Sequence, residues 1–287
     1  MRYHQLRDGA GSRLAVSSDD GVYDLTTAKP RLSSFRALLR AASIADESPD
    51  AIASRHLDAA TELSPAHVEQ RRRIPIDVDE VWAAGVTYRI SEEARREESS
   101  MPDMYVDVYD ADRPEIFFKS TPNRTVGPDE DVGIRGDSKW DVPEPELGIV
   151  LYEGDIVGYT VGNDMSSRSI EGENPLYLPQ AKVYDRCCSL GPCVATDIDD
   201  PHALTLTMAI SRDGDRIYSG ETGTQEMVRS CEELVSYFRD HNAVPEVAVL
   251  LTGTSLVPED GFTLQDGDRV EIEIEGIGRL QNTVTTV

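Results

Sequence analysis

Lysine is nearly absent from this chain. Four of its 28 basic residues are lysine, at positions 29, 119, 139 and 182, and the other 24 are arginine. Against them stand 53 acidic residues, a formal charge of −25 over 287 residues. A nucleic-acid ligand requires a basic face that displaces counterions from phosphates, and the longest basic run here is Arg71-Arg72-Arg73. The composition argues against DNA, RNA and anionic membranes as partners. Cysteine is scarce as well. Cys187, Cys188, Cys193 and Cys231 form no C-x-x-C pair, and the adjacent Cys187 and Cys188 make a poor disulfide. Reduced, buried thiols are expected, as in a cytosolic protein. No apolar run approaches the ~20 residues that span a bilayer. The opening MRYHQLRDGAGSR lacks the apolar centre of a signal peptide, so a cytoplasmic protein is expected. The five histidines (His4, His56, His67, His202, His241) fall in no catalytic motif, and no Ser-His-Asp arrangement is apparent.

High charge with few lysines suits disorder, but 39% of the residues are hydrophobic and they are spread along the chain. A folded protein adapted to high salt fits better, because salt shortens the range of self-repulsion to a few Å. Residues 1–74 read as a small α+β unit. RLAVSS and GVYDLT are strands around the turn Ser18-Asp19-Asp20-Gly21. LSSFRALLRAASIA is a helix with Phe35, Leu38, Leu39 and Ala42 on one face. A weaker helix covers 48–61, and Gln70–Ile76 reads as a linker. Residues 75–287 read as a β-rich domain, with strands EIFFKS, ELGIVLY, DIVGYTVGND, ALTLTMAISRD, DRIYSGET, VAVLLTG and DRVEIEIEG. Asp213-Gly214-Asp215 and Asp266-Gly267-Asp268 are turn signals. One helix, QEMVRSCEELVSYFRDH, carries Met227, Cys231, Leu234 and Phe238 on one face.

The chemistry sits in three stretches. Glu144 and Glu146, two apart at the start of a strand, point to one face, and like charges there repel unless a cation lies between them. The strand GYTVGND ends in Asp164, which can bring a third carboxylate beside them. Three carboxylates without histidine suit a hard cation, Mg²⁺ or Mn²⁺; an ordinary polar strand edge is the alternative in so acidic a chain. Lys182 follows in QAKVYD, and a lysine near a metal can have its pKa lowered towards that of a base. Glu115 and Lys119 share the strand PEIFFK.

The segments GVTY (85–88), PEIFFK (114–119), EPELGIVL (144–151), VGYTVGNDMSSR (157–168), AKVYDRCCSLGP (181–192) and LLTGTS (250–255) together resemble the fumarylacetoacetate hydrolase family. The resemblance implies a β-rich roll or barrel with the site at its mouth. It implies Glu144, Glu146 and Asp164 as ligands of a divalent metal, Lys182 as the family lysine, and Gly253-Thr254 as a substrate contact. Hydrolases and decarboxylases of the family often carry NYxxHxxE after the first core strand. Ser91 and Ala94 stand here in the histidine and glutamate positions, leaving Glu92 and Glu93 as the nearby substitutes for a water-activating base.

SRSIEGENPLYLPQAKVYDRCCSLGPC with RPEIFFKSTPNR is similar to the 2-keto-3-deoxy-pentonate dehydratases of archaeal pentose oxidation. The activity implied is dehydration of a xylonate- or arabinonate-derived 2-keto acid to 2,5-dioxopentanoate, with Mg²⁺ (or Mn²⁺) as Lewis acid. Lys182 and Glu115 are the candidate acid–base pair. Arg89, Lys119, Arg168, Glu171, Gly253 and Thr254 are candidate substrate contacts. An acylpyruvate hydrolase or oxaloacetate decarboxylase is the alternative, and a carboxylate-rich binding module is the non-enzymatic one. Family analogy further implies a homo-oligomer, dimer or tetramer.

Overall fold

The computed structural model describes residues 1–9, 11–88, 108, 111–259 and 261–287. The chain opens with β1 (Arg2–Asp8), β2 (Gly11–Ser18), β3 (Gly21–Asp24), α1 (Leu25–Ala28), α2 (Phe35–Ala45), α3 (Pro49–Ser54), β4 (Thr61–Leu63) and α4 (Pro65–Arg71). There follow β5 (Glu80–Gly85), β6 (Glu115–Ser120), β7 (Thr125–Val126), β8 (Asp131–Ile134), β9 (Asp141–Val142), β10 (Pro145–Tyr152), β11 (Asp155–Asp164) and β12 (Ser166–Ser167). After these come α5 (Arg168–Glu173), α6 (Leu178–Lys182), β13 (Cys188–Ala195), β14 (Thr205–Arg212), β15 (Asp215–Gly223), α7 (Cys231–Arg239), β16 (Val247–Leu251), β17 (Arg269–Ile274) and β18 (Gly278–Thr286).

The main sheet runs β4–β3–β2–β1–β13–β11–β10–β16–β5–β6, with β7 beside β13 as its eleventh strand. A second sheet runs β15–β14–β17–β18–β8. The expected α+β, mostly β class is what the chain adopts. The strands form an open roll, and among the described residues their pairing does not close a barrel. β1 pairs antiparallel with β13, Arg2 opposite Ala195 and Tyr3 opposite Val194, so the N-terminal strands extend the same sheet. Gln70 and Arg71, expected in a linker, complete α4.

The two sheets differ in pattern because they differ in exposure. In the second sheet alternate residues are buried: Leu206, Met208 and Ile210 on β14, and Val270, Ile272 and Ile274 on β17. That is the period of a strand with one wet face. In the centre of the main sheet β13 is buried at all eight positions and β16 at all five, the near-continuous apolar run of strands covered on both faces.

One strand and two helical expectations are shortened. Leu25 and Thr26 leave GVYDLT to begin α1, because Asp24 caps it by accepting from the Thr26 amide. The helix expected over 48–61 ends at Ser54, and a 3-10 turn takes Leu57–Ala59. The helix expected over 225–241 begins only at Cys231. Tyr88 bridges Met227 and the Val228 amide donates to the Thr87 carbonyl, so this backbone is engaged in tertiary pairing before Ser230 caps α7. The buried face of α7 is Cys231, Leu234, Val235 and Phe238, with Phe238 5.7 Å from the Trp82 ring of β5.

Candidate active site

The β10–β11 hairpin assembles the acidic cluster. Pro145 pairs with Asn163 and Glu146 with Gly162, and the Asp164 amide donates to the Glu144 carbonyl at 2.9 Å. The register thus brings the last residue of β11 beside the first residues of β10. Glu144, Glu146 and Asp164 are all buried. Each offers one carboxylate oxygen, and the three atoms lie within 4.8 Å of one another. Among the described residues neither histidine nor cysteine joins this group. The donors are therefore all hard oxygens, and they fit Mg²⁺ or Mn²⁺.

Three cations meet the carboxylates. Lys182, at the end of α6, places Nζ 2.7 Å from Glu144 Oε2 and 3.2 Å from Asp164 Oδ2. Arg168, at the start of α5, approaches Glu144 Oε1 at 3.2 Å. Lys119 Nζ lies 2.5 Å from Asp164 Oδ1. Burial pushes Glu144 up, yet the charges of Lys182 and Arg168 outweigh it and hold its carboxyl down at about 2. Burial raises Glu146 well above the usual carboxylate range, and the charges of Asp164 and Glu144 add to it. Its Oε2 accepts from the Gly253 amide at 2.7 Å. The lowered pKa expected for Lys182 was that of a lysine beside a metal ion; beside the bare carboxylates the balance runs the other way. Burial opposes its charge, but Asp164 and Glu144 outweigh burial and hold the ammonium protonated.

Glu115, Glu144, Glu146, Asp164, Arg168, Glu171, Lys182, Gly253 and Thr254 all line one cavity. Glu171 Oε2 accepts from Ser166 Oγ at 3.2 Å. Lys119 is placed differently. It is fully buried beneath the cavity and donates to the carbonyls of Met165 and Lys182. Arg89, Ser91, Glu92, Glu93 and Ala94 lie outside the described residues. All four cysteines are buried free thiols.

Several wall residues carried no chemical signal of their own. Ala84, Gly85, Val86, Phe117, Leu178 and Val257 complete the cavity. Gly253 has φ +82°, and a Cβ there would lie 2.2 Å from Thr87 Oγ1; only glycine fits this left-handed, crowded position. Val86 holds φ +54°, a region that a β-branched side chain rarely occupies and that concentrates at functional sites. The segments GVTY and LLTGTS contain these positions, but their backbone conformation is not readable from residue type.

The sequence model of the fumarylacetoacetate hydrolase C-terminal family matches residues 80–285. The chain is 64% identical over 289 residues, covering all of both sequences, to a probable 2-keto-3-deoxyxylonate dehydratase of Haloferax volcanii. It is 46% identical over 213 residues, 72% of each chain, to the 2-dehydro-3-deoxy-D-arabinonate dehydratase of Saccharolobus solfataricus. Among solved structures it superposes with a TM-score of 0.86 on a 2-keto-3-deoxy-D-arabinonate dehydratase complexed with magnesium and 2,5-dioxopentanoate. That match is 35% identical and covers 100% of this chain and 99% of the other.

Proposed function

The chain belongs to the fumarylacetoacetate hydrolase family, and we propose that it is a hydro-lyase converting a 2-keto-3-deoxy-pentonate to 2,5-dioxopentanoate and water. The observation that carries this reading is one cavity holding three carboxylates together with Lys182 and Glu115. The end-to-end likeness to the Haloferax dehydratase supports it.

Glu144, Glu146 and Asp164 would hold Mg²⁺, or Mn²⁺. When bound, the ion supplies Lewis-acid polarisation of a 2-keto acid. The chain's own side chains supply the proton traffic. The reaction removes one proton from C3 and expels the C4 hydroxyl as water, so it requires one base and one acid on the cavity wall. Lys182 and Glu115 form that pair. Arg168 and Thr254 bind the substrate's carboxylate and hydroxyl oxygens, and Glu171 faces the same space. Shifting the double bond to C4–C5 leaves an enol at C5, which ketonises to the aldehyde.

The acidic composition and the haloarchaeal relative support a working environment of high salt, inside the cytoplasm. Among the described residues no helix is long and apolar enough to cross a membrane. We further propose a homo-oligomer, and a division into an N-terminal unit (1–74) and a catalytic unit (75–287).

The test is an endpoint assay in high salt with Mg²⁺, offering both C4 epimers of 2-keto-3-deoxy-pentonate and trapping the aldehyde. Metal-dependent 2,5-dioxopentanoate, abolished by EDTA, is the expected result, and the epimer ratio names the parent sugar acid. Folded protein that binds Mg²⁺ yet releases no aldehyde from either epimer would overturn the reading. Two acids from an acylpyruvate, or CO₂ from oxaloacetate, would then identify hydrolysis or decarboxylation.

A further inference from the structure

We infer that Lys119 is a positioning residue that fixes Asp164 for metal binding and ties the β10–β11 hairpin to the helix carrying Lys182. The inference rests on the reading that Asp164 is a metal ligand.

Lys119 is fully buried, and its ammonium is engaged on three sides. It lies 2.5 Å from Asp164 Oδ1, donates to the Met165 carbonyl at 2.9 Å, and donates to the Lys182 carbonyl at 2.5 Å. An ammonium has three N–H donors and no acceptor. With two of them on carbonyls and its charge against Asp164, this one has no reach to a substrate in the cavity above. Its partners come from different elements: Asp164 ends β11, Met165 follows it, and Lys182 ends α6. The Tyr184 ring lies 5.8 Å from the same Nζ, and the Cys187 thiol is 3.5 Å from the Lys119 carbonyl. Backbone and side chain are therefore held together.

Two physical consequences follow. A carboxylate whose Oδ1 is gripped by a buried point charge cannot rotate freely about its Cβ–Cγ bond, so its oxygens are pre-oriented towards Glu144 and Glu146. Partners of this kind, behind a metal ligand, typically set affinity by about 10- to 100-fold. The same ammonium carries the Lys182 carbonyl, so a change at Lys119 moves the acid–base residue together with the ligand.

The test is calorimetric titration of the full-length protein with MgCl₂. Lys119→Gln removes the charge beside Asp164 and leaves two N–H donors on a side chain one bond shorter. Its Mg²⁺ Kd is expected to weaken by about 10- to 100-fold. Lys119→Arg keeps the charge on a wider planar group and is expected to weaken binding less than Lys119→Gln. Arg212→Gln is the control for general destabilisation. It breaks the Arg212–Asp268 ion pair in the second sheet (2.7 Å) and should lower the melting temperature with Mg²⁺ Kd unchanged. A folded Lys119→Gln variant that binds Mg²⁺ like the wild type overturns the inference. Absence of Mg²⁺ binding by the wild type overturns the metal reading, and this inference with it.

Discussion

The Glu115 carboxylate occupies the space that a side chain at position 85 would take. Gly85 and Glu115 are paired across β5 and β6, and a Cβ on Gly85 would lie 2.0 Å from Glu115 Oε2. The clashing atom is the end of a flexible side chain, so Gly85→Ala should displace the carboxylate and leave the strands in place. A positioned acid or base contributes about 10²–10⁴-fold, and both Gly85→Ala and Glu115→Gln are expected to lower kcat within that range. Steady-state kinetics beside thermal melts check this. Wild-type kcat in a folded Gly85→Ala enzyme would remove Glu115 from the acid–base pair.

Glu146, a proposed metal ligand, carries a cost in stability. Burial and the charges of Asp164 and Glu144 raise its pKa, so its ionised form is costly to the fold without a cation. Glu146→Gln keeps an acceptor for the Gly253 amide and removes the charge. In EDTA this variant is expected to melt above the wild type, since each pKa unit relieved corresponds to about 1.4 kcal/mol. With Mg²⁺ at about 100 times Kd the wild type gains about 2.7 kcal/mol, and the variant should gain nothing. Melting curves with and without Mg²⁺ decide the matter, and a full Mg²⁺ shift in the variant would falsify the ligand assignment.

His4 gives the acid limb of stability a recognisable component. Burial, the largest cause, lowers its pKa from 6.5 to about 4, and its Nε2 lies 3.2 Å from Ser17 Oγ. The folded state keeps the ring neutral in the range where the unfolded chain protonates it. Stability from this group is complete above about pH 6.5, falls as pH drops towards 4, and levels off below that. The slope is at most about 1.4 kcal/mol per pH unit for one proton. Denaturant unfolding of His4→Gln between pH 4 and 7 should give a flatter curve than the wild type. Parallel curves would show that His4 does not titrate differently on unfolding.

The elements legible in sequence are those whose burial follows one period. β14 and β17 alternate, α2 has a clean apolar face, and β10 and β11 are near-continuous apolar runs between turn signals. β1, β13 and β18 were not legible as strands. β13 (CSLGPCVA) is buried throughout and contains Gly191-Pro192, so it has neither alternation nor strand-like composition. β1 and β18 each bury a polar residue on the core side, Gln5 and Asn282, which breaks the apolar pattern. Both are satisfied by distant partners: Gln5 donates to the Ile74 carbonyl, and Asn282 to the carbonyls of Gly127 and Glu130. No local window contains that information.

The candidate site divides along the same line. Residue types and spacing alone determined that Glu144 and Glu146 share a face and that Asp164 is available to join them. The acidic composition also set the expectation against a nucleic-acid partner. The tertiary structure decided what surrounds the carboxylates. It placed Lys182 against Glu144 and Asp164, whose bare carboxylates hold its ammonium protonated. It sank Lys119 beneath the cavity instead of in its wall, and it kept position 85 open for Glu115. The physical reason is range. Side-chain direction along a strand is set by the local backbone, whereas charge balance and free space are set by groups that meet only through long-range sheet register.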